Sequence, residues 1–585
     1  MKTKKIEPEI ENARHSLSHL LATAVLKKFP DVKFGIGPII ENGFYYDFLL
    51  PKSLLPEDLK DLEKEIKNLI SQKLPFIAKK ITAIEAKRIF KNQPFKLDLI
   101  KEFVKNKWAL TIYKTGDVFV DLCAGGHVKN SGEINIDAFQ LTHTAGAYWR
   151  GDEKNPQLQR VYGVAFETKK ELGHYLWQQE EAKKRDHRIL GEKLSLFTFA
   201  DEVGPGLPLW MPNGTIVRDE IEKYAKEIEK EWGYERVATP HIAKEKLYLM
   251  SGHIPYYADS MYPPMKLDDG NYYLKAMNCP HTHMIYRARQ HSYRELPIKY
   301  AEYGTVYRYE LSGTLAGLLR TRGFTQNDAH IYCREDQAEE EFLNVMKLHE
   351  FWYKKVFGIK DFYMRLSLPT KDKKKFAGAS KEWIKAVEIV RNAMKKSKLP
   401  FVEVEGEAAF YGPKVDFQIK SVIGREETAS TNQLDLLATE KFNLTYKDKD
   451  GKDKPVYVIH RAPLGSHERF IAFLIEHYAG AFPIWFAPIQ VSILNITERN
   501  RKYATKIYKE LKDSGIRVEF NDANDTIGKK IRNAELLKIP YILIIGDKEE
   551  KSGAVAVRER GKGDLGKQKL SAFLRKIQLE IENKI

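Results

Sequence analysis

The sequence contains little cysteine and no long apolar segment. Three cysteines, Cys123, Cys279 and Cys333, occur in 585 residues, and so few exclude the disulfide framework of a small secreted protein. Each must be a core residue, a nucleophile or a metal ligand. No apolar run approaches the length that spans a membrane, and residues 1–5 (MKTKK) lead into polar residues rather than the apolar core of a signal peptide. We therefore expect a cytoplasmic protein without a membrane partner.

Repeats and low-complexity tracts are also absent, and the composition is that of a folded protein. Hydrophobic residues make up 43% and mean hydropathy is -0.47, which indicates a globular chain. A chain of this length predicts roughly three to five domains. The net charge of +16 indicates a polyanionic partner, with nucleic acid favoured because the basic residues are spread along the chain. A generally lysine-rich proteome is the alternative explanation.

Composition along the chain predicts three domains and a linker. The first part contains an apolar-periodic helix (13–29) and an aromatic strand (44–48). Residues 178–188 (QQEEAKKRDHR) are charged with few apolar positions, which is typical of a solvated linker helix. We predict a first domain at 1–174, a linker helix at 175–192, and two further domains at 193–484 and 485–585.

The two later domains differ in their patterns. After residues 213–215 (NGT), apolar residues recur at helical spacing up to Trp232, and a strand ending at Pro240 follows. From residue 485, predicted strands alternate with predicted helices: strands 491–494, 516–520 and 541–545, and helices 501–513 and 527–537. This alternation predicts a small α/β domain with a mostly parallel sheet.

Three arginine-containing motifs follow one another along the chain: Arg308-Tyr309-Glu310, residues 320–326 (RTRGFTQ) and residues 465–469 (GSHER). Arginine binds phosphate as a rigid, permanently charged fork, and an aromatic ring beside it can stack on a purine. Solvated surface arginines are the alternative, but three clusters in one basic chain favour a nucleotide site. The motifs resemble the ATP site of class II aminoacyl-tRNA synthetases.

Further segments sharpen the resemblance to the threonyl-tRNA synthetases of bacterial type, and it covers essentially the whole chain: residues 277–280 (MNCP), 320–330 (RTRGFTQNDAH), 410–414 (FYGPK) and 459–462 (IHRA). It implies a multidomain α+β and α/β fold, with an N-terminal α+β editing domain, a class II catalytic domain on an antiparallel sheet and a C-terminal α/β anticodon-binding domain. The segment ending at Pro240 is similar to the first class II signature, which implies a homodimer. The small ubiquitin-like N-terminal module of many members is expected to be absent.

The resemblance also implies an activity. It consists of ATP-dependent activation of L-threonine to threonyl-adenylate, transfer to the 3′ end of tRNA(Thr), and hydrolysis of mischarged seryl-tRNA(Thr). An RNA-binding regulator that has lost catalysis is one alternative, and the retained arginines argue against it because a pure binder needs no ATP site. A stand-alone trans-editing hydrolase is the other, and the activation and anticodon units argue against it.

The family match implies an ATP site. In it, Arg308 grips the α-phosphate while Arg320 and Arg469 hold the outer phosphates. Phe324 stacks on adenine, Glu310 reads the adenine amino group, and Mg²⁺ accompanies ATP. These arginines would stabilise the charge that builds on the α-phosphate when the threonine carboxylate attacks it.

The groups that orient the amino acid are implied to be Gln326, Asp328, Tyr411 and Gln433. His253 matches a histidine that assists proton removal from the tRNA ribose, with a surface histidine as the alternative. Residues 427–431 (ETAST) stand where the family usually has tryptophan, glutamine and a small-residue turn. ATP affinity or turnover could therefore differ from that of other members.

The resemblance implies one zinc ion per subunit in the catalytic domain, held by Cys279, His330 and His460. Spacing alone cannot predict this site, because the three residues are far apart, and singly each is a core cysteine or a hydrogen-bonded histidine. Three protein ligands leave coordination positions open, where threonine can offer its amino group and hydroxyl but valine only a methyl group. Residues 281–283 (HTH) depart from the usual glycine–histidine and crowd imidazoles near this zinc.

Serine carries the same hydroxyl group as threonine, so a second site is needed to hydrolyse seryl-tRNA. The N-terminal domain supplies candidate residues for this editing site. His15 and His19 share one helical face, and residues 121–127 (DLCAGGH) bring Asp121, Cys123 and His127 around a glycine turn. The residue types fit a zinc site, but a metal-free site that positions a water molecule needs only the same side chains and is favoured. Lys96 and Tyr46 match positions near this editing site.

The C-terminal domain is implied to read the anticodon loop of the tRNA. A splayed single-stranded loop is read by side chains that bond the base edges. The residues that match the family's anticodon contacts are Asn524, Arg532, Glu549 and Arg558. Without the resemblance, these four would be ordinary polar surface residues.

Overall fold

The computed structural model describes residues 8–369, 381–406, 408, 412–421, 424, 426–435 and 437–584. It divides into two compact units, one ending at Glu180 and the other beginning at Glu181. No helix within these described ranges combines the length and the apolar character needed to cross a membrane. The predicted limit between the two later domains, at 484/485, stays a prediction.

The first unit combines helices with two antiparallel sheets. Its helices are α1 (Pro8–Lys28), α2 (Pro56–Ser71), α3 (Ala83–Ile89), α4 (Pro94–Lys105) and the part of α5 (Lys169–Arg185) that precedes Glu181. Its strands are β1 (Lys33–Phe34), β2 (Ile39–Ile40), β3 (Gly43–Leu49), β4 (Phe76–Lys80), β5 (Thr111–Thr115), β6 (Phe119–Leu122), β7 (Phe139–Tyr148) and β8 (Gln157–Ala165).

One sheet of this unit has the order β1-β3-β8-β7 with β2 paired to β3, and the other has the order β4-β5-β6. Leu17 and Leu21 of α1 share one core with Leu62 of α2 and Phe44 of β3. Because residues four apart lie on one helical face, burying Leu17 and Leu21 in the core leaves His15 and His19 beside the end of β6.

The second unit begins with a region built on a large mixed sheet. Its helices are α6 (His187–Lys193), α7 (Pro212–Glu231), α8 (Glu245–Ser251), α9 (His253–Tyr256), α10 (Cys279–Arg287), α11 (Glu335–Glu350), α12 (Lys381–Ser397), α13 (Leu437–Phe442) and α14 (His467–Tyr478). Its strands are β9 (Phe197–Thr198), β10 (Leu209–Trp210), β11 (Glu235–Arg236), β12 (Ile242–Lys244), β13 (Met265–Leu267), β14 (Gly270–Leu274), β15 (Ile298–Tyr307), β16 (Gly323–Cys333), β17 (Phe362–Leu368), β18 (Phe401–Glu405), β19 (Lys414–Lys420), β20 (Glu426–Asp435), β21 (Thr445–Lys447), β22 (Asp453–Pro455) and β23 (Tyr457–Ala462).

An eight-stranded sheet carries this region, in the order β11-β15-β16-β23-β20-β19-β17-β18. Its central pairings are antiparallel, and they place His460 of β23 opposite both His330 of β16 and Gln433 of β20. Helix α7 begins at Pro212, before the predicted start, because proline suits the first position of a helix. Its buried residues Val217 and Ile221 belong to the core under the sheet.

The C-terminal region has helices α15 (Arg501–Asp513), α16 (Ile527–Leu536), α17 (Asp547–Ser552) and α18 (Leu570–Glu582), and strands β24 (Val491–Asn495), β25 (Val518–Asn521), β26 (Tyr541–Ile545), β27 (Ala554–Glu559) and β28 (Gly563–Lys569). Strand β24 pairs in parallel with β25 and β26, but β27 and β28 continue the sheet antiparallel. The prediction of a mostly parallel sheet is therefore wrong at this edge. The connections 546–553 and 560–562 are too short for parallel crossovers, which need about a dozen residues or more.

Candidate active site and a second side-chain cluster

A cavity of about 420 Å³ opens on the central strands of the eight-stranded sheet. Predicted site residues that line it are Cys279, Arg308, Glu310, Arg320, Phe324, Gln326, Asp328, Gln433, His460 and Arg469. Strand alternation accounts for part of this convergence, since Phe324, Gln326 and Asp328 lie two residues apart on one face of β16. Tyr411 lies outside the described residues.

Three guanidinium groups meet at the outer part of the cavity. Arg308 lies over the ring of Phe324, 5.0 Å from its centroid, and its Nε donates to the Ala276 carbonyl at 3.3 Å. Arg320 Nη2 lies 2.8 Å from Glu310 Oε2. Arg469 Nε donates to the Leu319 carbonyl at 3.1 Å.

The charge of this region is unbalanced. Desolvation by the cavity walls lowers the pKa of Arg469, an effect that Glu427 opposes. The nearby Arg308 and Arg320 lower this pKa further. Several like charges held together are the arrangement that an oligophosphate anion would relieve. Glu310 pairs with Arg320 here, so the adenine contact predicted for it stays a prediction.

The inner end of the cavity is polar and enclosed. Asn278 Nδ2 donates to Asp328 Oδ2 at 3.1 Å, and desolvation raises the pKa of the Asp328 carboxyl. Gln326 and Gln433 line the same cavity. These groups offer both acceptors and donors of hydrogen bonds, which suits an amino acid with a charged amino group.

The predicted metal ligands come together beside this end. Donor atoms of Cys279, His330 and His460 all lie within 4.8 Å of one another. His330 Nε2 is buried without a hydrogen-bond partner in the described part of the chain, and desolvation lowers the pKa of this histidine well below its usual value. A neutral imidazole whose buried nitrogen has no hydrogen-bond partner can bind a metal ion through that nitrogen. These residues therefore fit a zinc ion.

A second donor group overlaps the first. His283, Asp435 and His460 also have donor atoms within 4.8 Å of one another. His460 Nε2 lies 3.0 Å from Asp435 Oδ2, and His283 Nδ1 lies 2.9 Å from the Tyr332 hydroxyl. Asp435 is thus placed to orient the His460 ring through its contact with Nε2.

His253 does not lie on the surface, so the surface alternative is wrong. It is 3% exposed, with Nδ1 2.7 Å from Ser251 Oγ and Nε2 2.8 Å from Met277 Sδ. Burial, reinforced by the charge of Arg308, lowers the pKa of His253 to about 4. Met277 lines the cavity but His253 does not, so its predicted contact with tRNA stays a prediction.

A second cluster, formed by His15, His19, Cys123 and His127, lies in the first unit between α1 and the turn after β6. All four donor atoms lie within 4.8 Å of one another. Cys123 Sγ is 3.5 Å from His15 Nε2 and 3.3 Å from His127 Nε2. Burial lowers the pKa of His127 to about 2 and raises that of Cys123 to about 11. The cluster is therefore a set of neutral acceptors and weak donors at pH 7.

A buried ion pair lies against this cluster. Lys96 and Asp121 are 2% and 3% exposed and form a salt bridge. The Tyr46 hydroxyl donates to Asp121 Oδ2 at 2.5 Å and accepts from Lys96 Nζ at 3.1 Å. His19 Nε2 lies 3.8 Å from the same carboxylate oxygen. All seven residues predicted for this site are thus adjacent, and Asp121 contacts both Lys96 and His19.

Known proteins are similar to the chain over most of its length. Sequence models match residues 110–162 (Threonyl and Alanyl tRNA synthetase second additional domain), 264–478 (tRNA synthetase class II core domain (G, H, P, S and T)) and 490–580 (Anticodon binding domain). A threonine–tRNA ligase of Deinococcus deserti is 47% identical over 554 residues, covering 94% of this chain and 85% of the relative. Threonine–tRNA ligase 1 of Bacillus subtilis is 45% identical, covering 99% of this chain and 90% of the relative. The chain belongs to the threonyl-tRNA synthetase family.

A solved structure agrees with this assignment. A chain described as the RNA binding domain of threonyl-tRNA synthetase from Cryptosporidium parvum matches with a TM-score of 0.63 and 34% identity, covering 68% of this chain and 98% of that one. The predicted fold class of this family member is confirmed: an N-terminal editing-type domain, an antiparallel class II core and a C-terminal anticodon-binding domain.

The four predicted anticodon residues lie on separate elements. Asn524 and Arg532 are exposed, before and within α16. Glu549 Oε2 accepts from the Gly546 amide at 3.0 Å at the start of α17, and Arg558 Nη2 in β27 lies 3.6 Å from Glu535 Oε1. No two of the four share a hydrogen bond or ion pair in the described chain. Their predicted role stays a prediction.

Sequence reasoning missed a buried network under the cavity wall. His349 Nε2 lies 2.6 Å from Asn432 Oδ1, and its Nδ1 lies 2.8 Å from Ser430 Oγ. Ser430 also bonds the Tyr353 hydroxyl, and Tyr353 donates to the Pro463 carbonyl at 3.0 Å. The network ties the unusual segment 427–431 to the turn before α14. The alternation of Ser430 and Asn432 on one face of β20 was the available signal.

Proposed function

We propose that the chain is a threonine–tRNA ligase that activates L-threonine with ATP, transfers it to tRNA(Thr) and hydrolyses mischarged seryl-tRNA(Thr). The observation that carries the proposal is one cavity that is lined both by Arg308, Arg320 and Arg469 and by Cys279 and His460. Relatives with 45–47% identity over nearly the whole chain are threonine–tRNA ligases, which supports the choice of amino acid.

Activation joins the threonine carboxylate to the α-phosphorus of ATP and releases pyrophosphate. Arg308, Arg320 and Arg469 neutralise the phosphate charge, which reaches its maximum as the carboxylate oxygen attacks. Phe324, under Arg308, offers a flat face to the adenine ring. The ATP enters with Mg²⁺, as is general for synthetases. Gln326, Asp328 and Gln433 are proposed to hold the amino acid in line, together with Tyr411.

We also propose one zinc ion per subunit, held by Cys279, His330 and His460. A zinc ion bound there would supply open coordination positions for the amino group and hydroxyl of threonine. Asp435 contacts Nε2 of His460 and so holds the orientation of this ring. Metal analysis of purified protein tests this apart from activity. One zinc per chain, absent in Cys279→Ala, is expected; no metal in the wild type would contradict the assignment.

In the first unit, we propose a metal-free editing site that places a water molecule against the seryl ester. A neutral imidazole of the second cluster accepts a proton as the water attacks the ester carbonyl, and it returns that proton to the ribose oxygen that leaves when the ester bond breaks. The Lys96–Asp121 pair and Tyr46 hold the histidines in place. His19→Ala should abolish deacylation of seryl-tRNA and leave activation unchanged, with exposed His143→Ala as the control. A second zinc per chain in metal analysis would contradict the metal-free site.

A homodimer, built with helix α7, and a cytoplasmic location also belong to the proposal and rest on the family. Analytical ultracentrifugation tests the dimer, with a single species of twice the chain mass expected. Aminoacylation tests the function as a whole. With ATP, threonine and tRNA(Thr), the protein should form threonyl-tRNA, and removal of ATP should abolish it. A protein that binds the tRNA but never charges it would favour the non-catalytic regulator instead.

A further inference from the structure

We propose that His187, which begins helix α6, is a positioning residue for the ATP-binding turn 316–320. The inference rests on the proposed function, because it assigns a role in holding ATP. His187 lies in the charged segment predicted as a solvated linker, yet it is only 3% exposed. Its ring bonds the turn that leads into Arg320. The predicted linker segment therefore supports a part of the candidate active site.

Both ring nitrogens of His187 are used. The backbone amide of Leu318 donates to Nε2 at 3.2 Å, so this nitrogen carries no proton. The ring proton must then lie on Nδ1, which donates to Glu476 Oε1 at 2.7 Å. The ring thus links a carboxylate of α14 to a backbone amide of the turn. Donor atoms of Asp186, His187 and Glu476 also lie within 4.8 Å of one another, but these bonds leave no ring nitrogen for a metal.

Helix α14 holds the turn at two points. Glu476 acts through His187 on the amide of Leu318, and Arg469, from the other end of the same helix, donates to the carbonyl of Leu319 at 3.1 Å. The next residue is Arg320, whose side chain pairs with Glu310 in the cavity. Fixing the backbone on both sides of Leu319 therefore fixes the starting direction of the Arg320 side chain.

The turn 316–320 packs closely against the imidazole ring of His187. Gly317 has φ +53°, and a Cβ at this position would overlap His187 Nε2. Leu318 is 1% exposed, so the turn is anchored in the core on one side and to the ring on the other. The Phe197 ring also lies near His187, with its centroid 6.3 Å away, and the Arg188 side chain lies against Gly317. Neither offers Leu318 a substitute acceptor.

Two substitutions that introduce a side-chain amide distinguish the bond of His187 to Leu318 from its bond to Glu476. In His187→Gln the amide oxygen reaches the position of Nε2 and can still accept from Leu318. In His187→Asn the amide nitrogen reaches the position of Nδ1, so the bond to Glu476 persists and the bond to Leu318 is lost. His174→Asn, at an exposed histidine of α5, is the matched control. Each variant is assayed in the full chain by threonine-dependent ATP–pyrophosphate exchange and by amide hydrogen–deuterium exchange of peptides covering residues 316–320.

We expect His187→Asn to raise the KM for ATP about threefold to tenfold, the range that loss of one hydrogen bond gives, with the KM for threonine unchanged. Exchange of the 316–320 amides should be faster in this variant, while His187→Gln and His174→Asn stay within about twofold of wild type. Equal behaviour of the Asn and Gln variants in both assays would overturn the inference. If wild type itself shows no pyrophosphate exchange, the proposed function fails, and amide exchange still decides whether His187 holds the turn.

Discussion

At the scale of single residues, Arg469 joins the cavity to the turn 316–320, because its Nε bonds the Leu319 carbonyl and its side chain lines the cavity. We predict that Arg469→Ala lowers kcat/KM for ATP about 100-fold in pyrophosphate exchange, since a charge-stabilising group of the transition state is lost. Arg469→Lys should recover little, because lysine lacks the planar fork of donors that lets arginine bond Leu319 through Nε and a phosphate through its other nitrogens. The control is Arg499→Ala, at a side chain that is 79% exposed in the C-terminal region. A loss below threefold in Arg469→Ala would refute the assignment.

The histidines of the second cluster lead to a prediction on pH. Burial, reinforced by His19 and His15, lowers the pKa of His127 to about 2, and burial also lowers the pKa of His15. A lowered pKa keeps an imidazole neutral, and able to accept a proton, well below pH 6.5. We predict that single-turnover hydrolysis of seryl-tRNA, corrected for spontaneous hydrolysis, stays nearly constant from pH 8 to pH 6.

An ordinary histidine base, with a pKa of about 6.5, would be only about one-quarter neutral at pH 6. The rate would then fall about fourfold over the same range. A midpoint near pH 6.5 would therefore contradict the buried, neutral state of this cluster. His143→Ala, at an exposed position of β7, should leave the profile unchanged.

Single residues were predictable where a motif named them and not where tertiary pairing brings them together. Spacing could not join Cys279, His330 and His460; strand register does so, since His330 and His460 are direct partners across β16 and β23. Only the family resemblance supplied this set. His187 was hidden for the opposite reason, because its charged neighbours give the segment the composition of a solvated helix while its own ring is buried.

At the scale of elements, helix α7 packs closely on the segment before it. A Cβ at Gly214 would overlap the carbonyl oxygen of Leu196, and backbone cannot yield as a flexible side chain would. We predict that Gly214→Ala destabilises the protein by about 1 to 3 kcal/mol, the usual cost of overpacking. Thermal unfolding followed by circular dichroism measures the change.

Gly528 of helix α16 offers the matched comparison. A Cβ at Gly528 would meet nothing within 4 Å, so Gly528→Ala should be neutral or stabilising by up to about 1 kcal/mol through helix propensity. Equal effects of the two substitutions would show that the close contact at Gly214 does not limit stability.

Elements with strong periodicity were predictable to the residue. Helix Arg501–Asp513 and strand Tyr541–Ile545 have the predicted bounds, because apolar residues at helical spacing and a short β-branched run each leave one solution. The direction of β27 and β28 was not predictable from the alternation of strands and helices, since the length of each connection decides it. The linker divides into α5 and α6, and only α5 is a charged helix of the predicted kind.

At the scale of the whole molecule, the net charge of +16 should govern tRNA binding. We predict that the association constant for tRNA(Thr) falls steeply with salt, with a linear dependence of its logarithm on the logarithm of salt concentration. Arg532→Ala, at an exposed position of α16, should reduce the slope by about 1 if Arg532 bonds a phosphate. Asn524→Ala should weaken binding without changing the slope, since asparagine carries no charge. Filter binding at several salt concentrations measures both.

The most direct test of the account is amino-acid-dependent ATP–pyrophosphate exchange. It is measured with threonine, with serine and with valine, on native and on zinc-stripped protein. We predict exchange with threonine, weaker exchange with serine and none with valine, and loss of all exchange on stripping followed by recovery with zinc. No exchange with threonine by the native protein would contradict the ligase. Exchange that survives complete zinc removal would leave the ligase and contradict the roles of Cys279, His330 and His460.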